Sequence, residues 1–447
     1  MTNQKQIRLA DHFDYGKLLR FTGHSIMTMI FTSIYGIVDG FFVSNYAGAV
    51  PFAALNLVMP LLMMIAAFGF MFGAGGVALV SLKLGQKKRR EANEIFSLIT
   101  YALLALGVTL SLIGYVLAPA AATLLGATED LLPHSILYAR ISMISITAFM
   151  LQHFFQSFLI AAERPRMGFL ITLAAGLVNM LLDFVFVAGL GMGLAGAAWA
   201  TVVSELIGGL IPLLFFLLPN RTSLRLGRTR WNPRALVKTC SNGSSEFLSN
   251  AAASMVGMLY NRQLLNYMGT NGIAAYGVIM YVNFIFVGIF FGYAMGVSPV
   301  ISYQYGARNR EELTNLFRRS LVLVSGASLI LTILAELFAG LLARIFVGYD
   351  PVLYELTVYG MRVYDLAFLF MGLNVFGSAL FTALGNGKLS ALLSLVRSVL
   401  LQVLLILFLP ILLGGRSLWM IAVLVELGTL LLTCTMVIRS RFKYQIY

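Results

Sequence analysis

Residues 33–48 read SIYGIVDGFFVSNYAG and place one carboxylate, Asp39, inside an apolar segment. The apolar run around it is long enough to cross a bilayer, whose hydrocarbon core is about 30 Å thick. Burying an ionised carboxylate in hydrocarbon costs at least about 2.5 kcal/mol, so a chain that keeps one there usually uses it for ions or protons. Asp39 is therefore the first candidate functional residue.

The composition of the whole chain agrees with a membrane location. Of its 447 residues, 59% are hydrophobic and only 11% are charged, which is too little charge for a soluble domain. The two cysteines, Cys240 and Cys434, are far apart in the sequence and are expected to be free thiols. Residues 1–14 lack the pattern of a signal peptide, so we expect none to be removed.

Apolar runs separated by loop-sized polar stretches predict an all-α polytopic membrane protein with twelve transmembrane helices. The predicted spans are 16–45, 52–81, 93–118, 133–161, 168–189, 195–218, 237–266, 273–303, 315–346, 353–384, 390–413 and 417–438.

The distribution of basic residues predicts the orientation. Of 31 lysines and arginines, 25 lie on one side: 20 in the N-terminal segment, the tail and the five loops of that side, and five in the adjoining ends of the spans. The opposite loops hold only Arg416. Basic loops stay in the cytoplasm, so both termini are predicted to be cytoplasmic. The net charge of +13 is then a topology signal spread over seven short segments, and no nucleic-acid partner is expected.

The two halves of the chain are similar to each other. Residues 45–96 align without a gap on 266–317 at an offset of 221, with 13 of 52 positions identical. The identities include Gly48/Gly269, Gly75/Gly296 and Gly85/Gly306, and Arg140/Arg362 and Glu205/Glu426 extend the repeat. Six spans in each half give both halves the same orientation, which predicts two pseudo-symmetric six-helix bundles related by an axis along the membrane normal.

The repeat also predicts the domain organisation. Residues 1–218 form an N-terminal six-helix lobe, residues 219–234 a basic cytoplasmic linker, and residues 235–447 a C-terminal six-helix lobe with a short cytoplasmic tail. The spacings Gly69-x-x-x-Gly73 and Gly292-x-x-x-Gly296 are interpreted as close helix packing rather than ligand sites.

Four polar side chains of the first half are predicted to share one layer near the outer membrane face. Asp39, Asp183 and Thr201 each lie about six residues from the outer end of their spans, and Asn179 precedes Asp183 by one helical turn. Carboxylate, amide and hydroxyl oxygens suit a small cation, and two adjacent carboxylates also favour proton uptake. We therefore predict a site for Na⁺ or H⁺, the alternative being polar groups that only support packing.

The second half does not copy this site, because Asp39 aligns on Tyr260 and the pair Asn179 and Asp183 aligns on leucines. Its own intramembrane charges are predicted to form structural pairs, Glu246 with Arg397 and Glu336 with Arg362. Asp365 is left over as a candidate cavity acid. Glu205 and Glu426 occupy equivalent positions, which favours a shared structural role.

Polar and aromatic side chains elsewhere in the spans are candidates for a substrate cavity, and the 21 methionines and 33 phenylalanines supply adaptable apolar surface. Such a surface suits small amphiphilic cations. The candidate cavity residues are Tyr35, Gln152, His153, Gln156, Glu205, Glu246, Tyr260 and Asp365.

No Gly-x-x-x-x-Gly-Lys-Ser/Thr stretch is present, and the zinc, catalytic-triad and kinase motifs are missing too. Transport would then be driven by an ion gradient. The chain is predicted not to be an enzyme and to need no cofactor other than a coupling ion, Na⁺ or H⁺.

Four stretches make the chain resemble the multidrug and toxic compound extrusion (MATE) family, in particular its MepA-like bacterial branch. They are VDGFFVSNYAG at 38–48, AALNLVMP at 53–60, GIAAYG at 272–277 and ISYQYG at 301–306. The resemblance implies a cation-coupled exporter whose two lobes open alternately to either side of the bacterial plasma membrane. The family's first-lobe cation network matches Asp39, Asn179, Asp183 and Thr201. Many relatives carry a proline where this chain has His24, so bending of the first span at that proline is not expected here.

The sequence thus predicts a secondary active multidrug exporter, monomeric and embedded in membrane lipid, that exchanges amphiphilic cations for Na⁺ or H⁺. The alternative is a lipid-linked oligosaccharide flippase of the same superfamily, which tends to have basic residues in its cavity. Apart from Lys17 and Arg20 at the cytoplasmic end of the first span, the first lobe has only Arg140 within a span, which disfavours an anionic cargo. A channel or a receptor is a third interpretation. The internal repeat and the presence of the ion site in only one half of the chain disfavour it.

Single cysteines test the predicted orientation in a background that lacks Cys240 and Cys434. We expect an impermeant thiol reagent added to intact cells to label a cysteine at Thr128, in an outer loop, and to leave one at Ser223, in the linker, unlabelled. Permeabilised cells should label both positions. The reverse pattern in intact cells would overturn the orientation.

Overall fold

The computed structural model describes residues 7–444, which form an almost entirely α-helical protein. The helices are α1 Tyr15–Phe42, α2 Ala49–Gly85, α3 Arg89–Leu124, α4 Leu132–Ala161, α5 Pro165–Asp183, α6 Gly193–Leu217, α7 Pro233–Gly306, α8 Arg310–Val347, α9 Pro351–Asp365, α10 Phe368–Ala383, α11 Gly387–Leu395, α12 Leu401–Leu413 and α13 Ile421–Tyr444. The all-α prediction is therefore confirmed.

The helices account for the predicted number of spans. Within residues 7–444, ten helices are long and apolar enough to cross a membrane, and α9 with α10, bent by 45°, forms one further span. The 74-residue α7 consists of two helices that meet at Gly269, where the backbone has φ 66°. Division of α7 at this residue gives twelve spans, as predicted.

Backbone conformation repeats at the same offset as the sequence. Gly48, between the first two spans, has φ 101°, and its repeat partner Gly269 also has positive φ. Glycine is favoured in this region because it has no Cβ to collide with the backbone. The loop residues Lys87 and Arg308, also 221 positions apart, both have positive φ, 61° and 57°. The two lobes therefore share turns as well as helices.

The lobes meet where α2 packs along α7. Gly85 and Gly306 end these two helices, and each lies so close to the other helix that an added Cβ would overlap a carbonyl oxygen, that of Tyr303 and that of Leu82 respectively. Leu82 and Tyr303 are themselves 221 positions apart, so this contact lies on the pseudo-symmetry axis. The lobes are thus tightly closed at the end of the molecule that carries the linker.

The glycine motifs also serve packing, as predicted. Gly69 and Gly73 lie against the backbone and side chains of α4, within the first lobe, while Gly292 and Gly296 lie against α1 and so join the two lobes. An added Cβ would overlap the neighbouring helix at Gly69 and Gly292 and would be in tight contact with it at Gly73 and Gly296.

A segment before α1, residues 7–14, crosses the closed end, and we call it the N-terminal strap. The Leu9 amide donates to Glu163 Oε1 at 2.9 Å in the first lobe, while Gln304 Nε2 of the second lobe donates to the Leu9 carbonyl at 2.8 Å. The Phe13 amide donates to Glu312 Oε1 at 2.9 Å. Because Leu9 and Phe13 are both buried, the strap is part of the interface between the lobes.

The predicted division at 1–218, 219–234 and 235–447 stays a prediction. Helix α6 ends at Leu217 and α7 begins at Pro233, and the segment between them contains no described helix. Its backbone is held against α3, where Arg89 donates to the carbonyls of Thr222 and Ser223.

Two glycines of α7 offer a matched test of the contact between the lobes. At Gly243 an added Cβ would overlap the Met71 carbonyl oxygen, whereas at Gly257 it would meet nothing within 4 Å. We expect Gly243→Ala to lose about 1–3 kcal/mol of stability through overpacking. Gly257→Ala should be neutral or slightly stabilising, because alanine is the better helix former. Thermal unfolding in detergent measures both, and equal unfolding temperatures for the two variants would contradict the contact.

Candidate functional site

Asp39 lies near the end of α1, and its side chain is buried. The helix continues past His24 without a break, and a π-helical turn, Val43–Ala47, follows it directly. The amide of Val43 bonds to the carbonyls of both Asp39 and Gly40. Such a turn widens the backbone locally, and π-helical turns are frequent at functional sites.

Asp183 occupies the corresponding place on α5. It is the last residue of that helix and is fully buried, and a second π-helical turn, Phe184–Gly189, begins immediately after it. Helix α1 packs against α5, and the two π-helical turns contact each other. This packing brings the carboxyl groups of Asp39 and Asp183 against one another.

Several side-chain oxygens of the two aspartates and of Asn179, one helical turn before Asp183, have no hydrogen-bond donor among the described residues. They are Oδ1 of Asp39, both carboxyl oxygens of Asp183 and Oδ1 of Asn179. Buried polar atoms are nearly always hydrogen-bonded, so a cluster of this kind needs a positive partner. Two adjacent carboxylates also repel each other strongly at low dielectric unless a proton or a cation neutralises them. The oxygens that are present are hard ligands, which fit Na⁺ or H⁺.

Thr201 and Glu205 lie one helical turn apart on α6 and so share one face. Glu205 accepts a hydrogen bond from the Ser145 hydroxyl of α4 and is an electrostatic neighbour of Asp39. The Thr201 side chain is half-buried, and no hydrogen bond joins its hydroxyl to a described carboxylate. Glu205 is thus nearer to the carboxylate pair than the sequence implied, while Thr201 lies on the same face one turn away.

Tyr138 is a residue of this site that the sequence analysis missed. It lies on α4, is 1% exposed, and is an electrostatic neighbour of Asp39, Asp183 and Glu205. A lone tyrosine in an apolar span is usually a packing residue, so the sequence alone does not single it out. The available signal was its spacing, because Tyr138, Ser142 and Ser145 continue the polar stripe of α4 from Gln152 towards the carboxylates.

The other first-lobe candidates separate into two groups. Tyr35 lies beside Gln152 and Glu205 and so borders the carboxylate pair. His153 instead stacks on Phe70 with ring centroids 4.0 Å apart. Gln156 donates to the Thr172 hydroxyl at 3.3 Å. Tyr35, Gln152 and Glu205 therefore lie at the site, whereas His153 and Gln156 lie buried farther along α4.

The second-lobe candidates do not converge on this site. Tyr260 is 4% exposed, donates to the Leu418 carbonyl and stacks on Tyr276 at 4.5 Å, so it is packed within the second lobe in this structure. Its role as a cavity residue stays a prediction. Asp365 is fully buried at the bend between α9 and α10, and neither of its carboxyl oxygens has a donor among the described residues. Glu336 is an electrostatic neighbour of Asp365.

The predicted charge pairs of the second lobe need correction. Arg397 forms its ion pair with Glu426, at 2.8 Å, and is only a more distant electrostatic neighbour of Glu246. Arg362 is likewise an electrostatic neighbour of Glu336, without a direct ion pair between these two described side chains. Matched depth could not show which helix faces carry the charges. Glu426 accepts from Asn374 of α10, as Glu205 accepts from Ser145 of α4, although only Glu426 is also paired with an arginine. The predicted shared structural role stays a prediction.

Twelve spans in two pseudo-symmetric lobes, with a buried acidic cluster in one of them, define a polytopic membrane transporter. The MatE family model matches residues 25–185 and 247–408, one match in each lobe, and the chain belongs to this family. Members of the family are transporters rather than enzymes.

Individual relatives agree over nearly the whole length. The chain is 23% identical to the multidrug export protein MepA of Staphylococcus haemolyticus, over 89% of this chain and 88% of the relative. Its fold is similar to that of a MATE transporter crystallised in complex with MaL6, with a TM-score of 0.92, 21% identity and 99% of each chain covered. It is also similar to the outward-facing conformation of a multidrug resistance MATE family transporter of the MOP superfamily, with a TM-score of 0.91, 21% identity and coverage of 100% and 99%.

If the carboxylate pair binds the coupling ion, that ion should stabilise the fold. We expect Na⁺ in place of choline, or acidification if the ion is H⁺, to raise the unfolding temperature of the wild-type protein. The gain is about 2.7 kcal/mol when the ion is at a hundred times its Kd. Asp39→Asn and Asp183→Asn should each lose this response, and Glu246→Gln, a carboxylate of the other lobe, should keep it. A full response in both aspartate variants would contradict the site.

Proposed function

We propose that this protein is a secondary active multidrug exporter of the bacterial plasma membrane, with both termini in the cytoplasm. It exchanges cationic or amphiphilic organic compounds for Na⁺ or H⁺ by alternating access of its two lobes. The observation that carries this proposal is the buried pair of Asp39 and Asp183, whose oxygens lack donors among the described residues.

The charge of the first lobe supports a cationic cargo. Asp39, Asp183 and Glu205 are neighbours, whereas Lys17 and Arg20 lie at the linker-side end of α1. Arg140, the basic residue farther inside a first-lobe span, is exposed and lies over the Tyr115 ring, 5.5 Å from its centroid. An acidic cluster in a low-dielectric cavity attracts cations. It also disfavours the anionic diphosphate cargo of a lipid-linked oligosaccharide flippase.

Competition for the same carboxylates gives the simplest exchange mechanism. Cargo and coupling ion need not occupy one point, provided that each favours the opposite state of the first lobe. When the ion enters the pair, it neutralises the field that holds the cargo, and the cargo leaves. Tyr138 and Tyr35 border the carboxylates and can donate hydrogen bonds to whichever oxygens the ion leaves uncovered.

The contacts at the linker-side end support alternating access. The glycine contacts of α2 with α7, together with the strap, close that end, whereas Asp39 and Asp183 lie near the other ends of their helices. Opening to the linker side requires these contacts to separate while each lobe moves as a unit. One chain supplies both lobes and all of the site, so the transporter works as a monomer.

The breadth of substrates is inferred from surface chemistry and from the relatives. Methionine and aromatic side chains adapt to differently shaped ligands and give little directional hydrogen bonding. The curated relatives are multidrug export proteins. We therefore assign small amphiphilic cations as cargo, with charge rather than shape as the main criterion.

Dye efflux from vesicles tests this function directly. We expect the wild-type protein to export ethidium under an imposed Na⁺ gradient or pH gradient, and to protect a pump-deficient bacterium against quaternary ammonium compounds. Asp39→Asn and Asp183→Asn should reduce gradient-driven efflux at least about tenfold, because the coupling step needs both carboxylates. Asp130→Asn, which changes an exposed loop acid, is the matched control. Protection against anionic compounds only would favour the flippase instead.

A further inference from the structure

A cavity of about 910 Å³ lies at the linker-side ends of α1, α5 and α6, far from the carboxylate pair. Its basic lining consists of Arg20, His24, Arg164, Arg166 and Arg221, with Glu163 as the one acidic residue beside them. These residues come from three separate parts of the chain: α1, the turn before α5 together with the first turn of α5, and the segment after α6. The fold therefore gathers four guanidinium groups around one concave space.

The arginines of this cavity are not neutralised by its acidic residue. Glu163 accepts the Leu9 amide of the strap and has Arg164 and Arg8 as its basic neighbours. Arg20, Arg166 and Arg221 form no ion pair with an acidic side chain among residues 7–444. Like charges gathered in this way repel one another, so an anion in the cavity would be favourable.

A second basic cavity, of about 610 Å³ at the start of α8, shows the contrast. There Arg319 donates to Asn315 and lies over the Tyr15 ring, 4.9 Å from its centroid, and Glu311 also lines the space. Arg319 is therefore held by other side chains of the protein. A surplus of basic residues on this face is ordinary topology, but the convergence of Arg20, Arg166 and Arg221 in one cavity without an ion pair is not.

The position of the first cavity points to a lipid. Arg20 precedes Asp39 by 19 residues on α1, which corresponds to about 28 Å along the helix axis. This distance is close to the thickness of the hydrocarbon core, so the guanidinium groups lie at the level of headgroups. Apolar side chains also line the cavity, and two of them, Leu170 and Leu218, are 48% and 60% exposed. The lining therefore combines basic groups with exposed apolar groups.

We propose that this cavity binds an anionic phospholipid of the linker-side leaflet. Arg166 and Arg221 contact the phosphate, and an acyl chain runs along Leu170 and Leu218. Guanidinium groups bind phosphate oxygens in a bidentate manner, and basic pockets between transmembrane helices are suited to anionic headgroups. Ile7 of the strap also lines the cavity, so a bound lipid would contact the segment that joins the lobes.

Native mass spectrometry of the full-length protein tests the site with two lipids that differ in headgroup charge. We expect phosphatidylglycerol to be retained at least about tenfold more tightly than phosphatidylcholine by the wild-type protein. The double variant Arg166→Gln, Arg221→Gln should lose this preference. The control Arg225→Gln, Arg228→Gln removes the same charge from exposed linker residues outside the cavity and should keep it. Equal loss in both variants would show general surface attraction and overturn the site.

Two further arms keep the test decisive. Arg166→Lys, Arg221→Lys retains the charge in case the glutamine variant does not fold, and should weaken binding because lysine cannot make the bidentate contact. Wild-type retention in this variant would contradict the guanidinium contacts. Inorganic phosphate at the concentration of the lipid should not displace phosphatidylglycerol, because it lacks the acyl contacts. Full displacement by inorganic phosphate would overturn the lipid assignment in favour of a free-anion site.

Discussion

The main physical constraint on this structure is that two buried carboxylates repel each other and must be neutralised. Asp39 and Asp183 approach each other where α1 packs on α5. No described side chain donates a hydrogen bond to Oδ1 of Asp39 or to either carboxyl oxygen of Asp183. In a low-dielectric interior this arrangement is favourable only when a proton or a cation is shared. The first lobe can therefore have two states that differ in charge. A coupled transporter needs such a difference, because an ion that binds both states equally shifts nothing.

The two lobes share backbone conformations at equivalent positions, but their buried acidic side chains have different partners. Gly48 and Gly269, and Lys87 and Arg308, adopt matching conformations 221 positions apart, and Gly85 and Gly306 meet on the symmetry axis. The equivalent acids differ. Glu205 accepts from a serine beside the carboxylate pair, whereas Glu426 is held by an arginine and an asparagine. Repeated turns and glycines give the two lobes the same backbone course, while the buried pair of carboxylates is confined to one of them.

Much of the fold follows from the sequence because its signals are strong and periodic. Apolar runs predicted twelve spans, and the aligned glycine pair explains why one 74-residue helix is two spans. Asp39 and Asp183 were predictable because a carboxylate inside a membrane span is costly and usually has a function. Asn179 was predictable because it lies one helical turn before Asp183. Tyr138 was not predictable as a site residue. A tyrosine at the end of a polar stripe cannot be told from a packing residue until its neighbours on other helices are known. The Arg397 partner was also missed, because depth does not specify which face of a helix a charge occupies, and the strap depends on contacts between residues about 300 positions apart.

Whether Asp39 and Asp183 act as one site is decided by a double-mutant cycle on ion-driven efflux. If the two carboxylates bind a single coupling ion, either asparagine substitution alone removes the site. The variant that carries both should then transport no more slowly than the worse single variant, which means strong non-additivity. Losses that add in free energy across the cycle would show two independent contributions and contradict a shared ion.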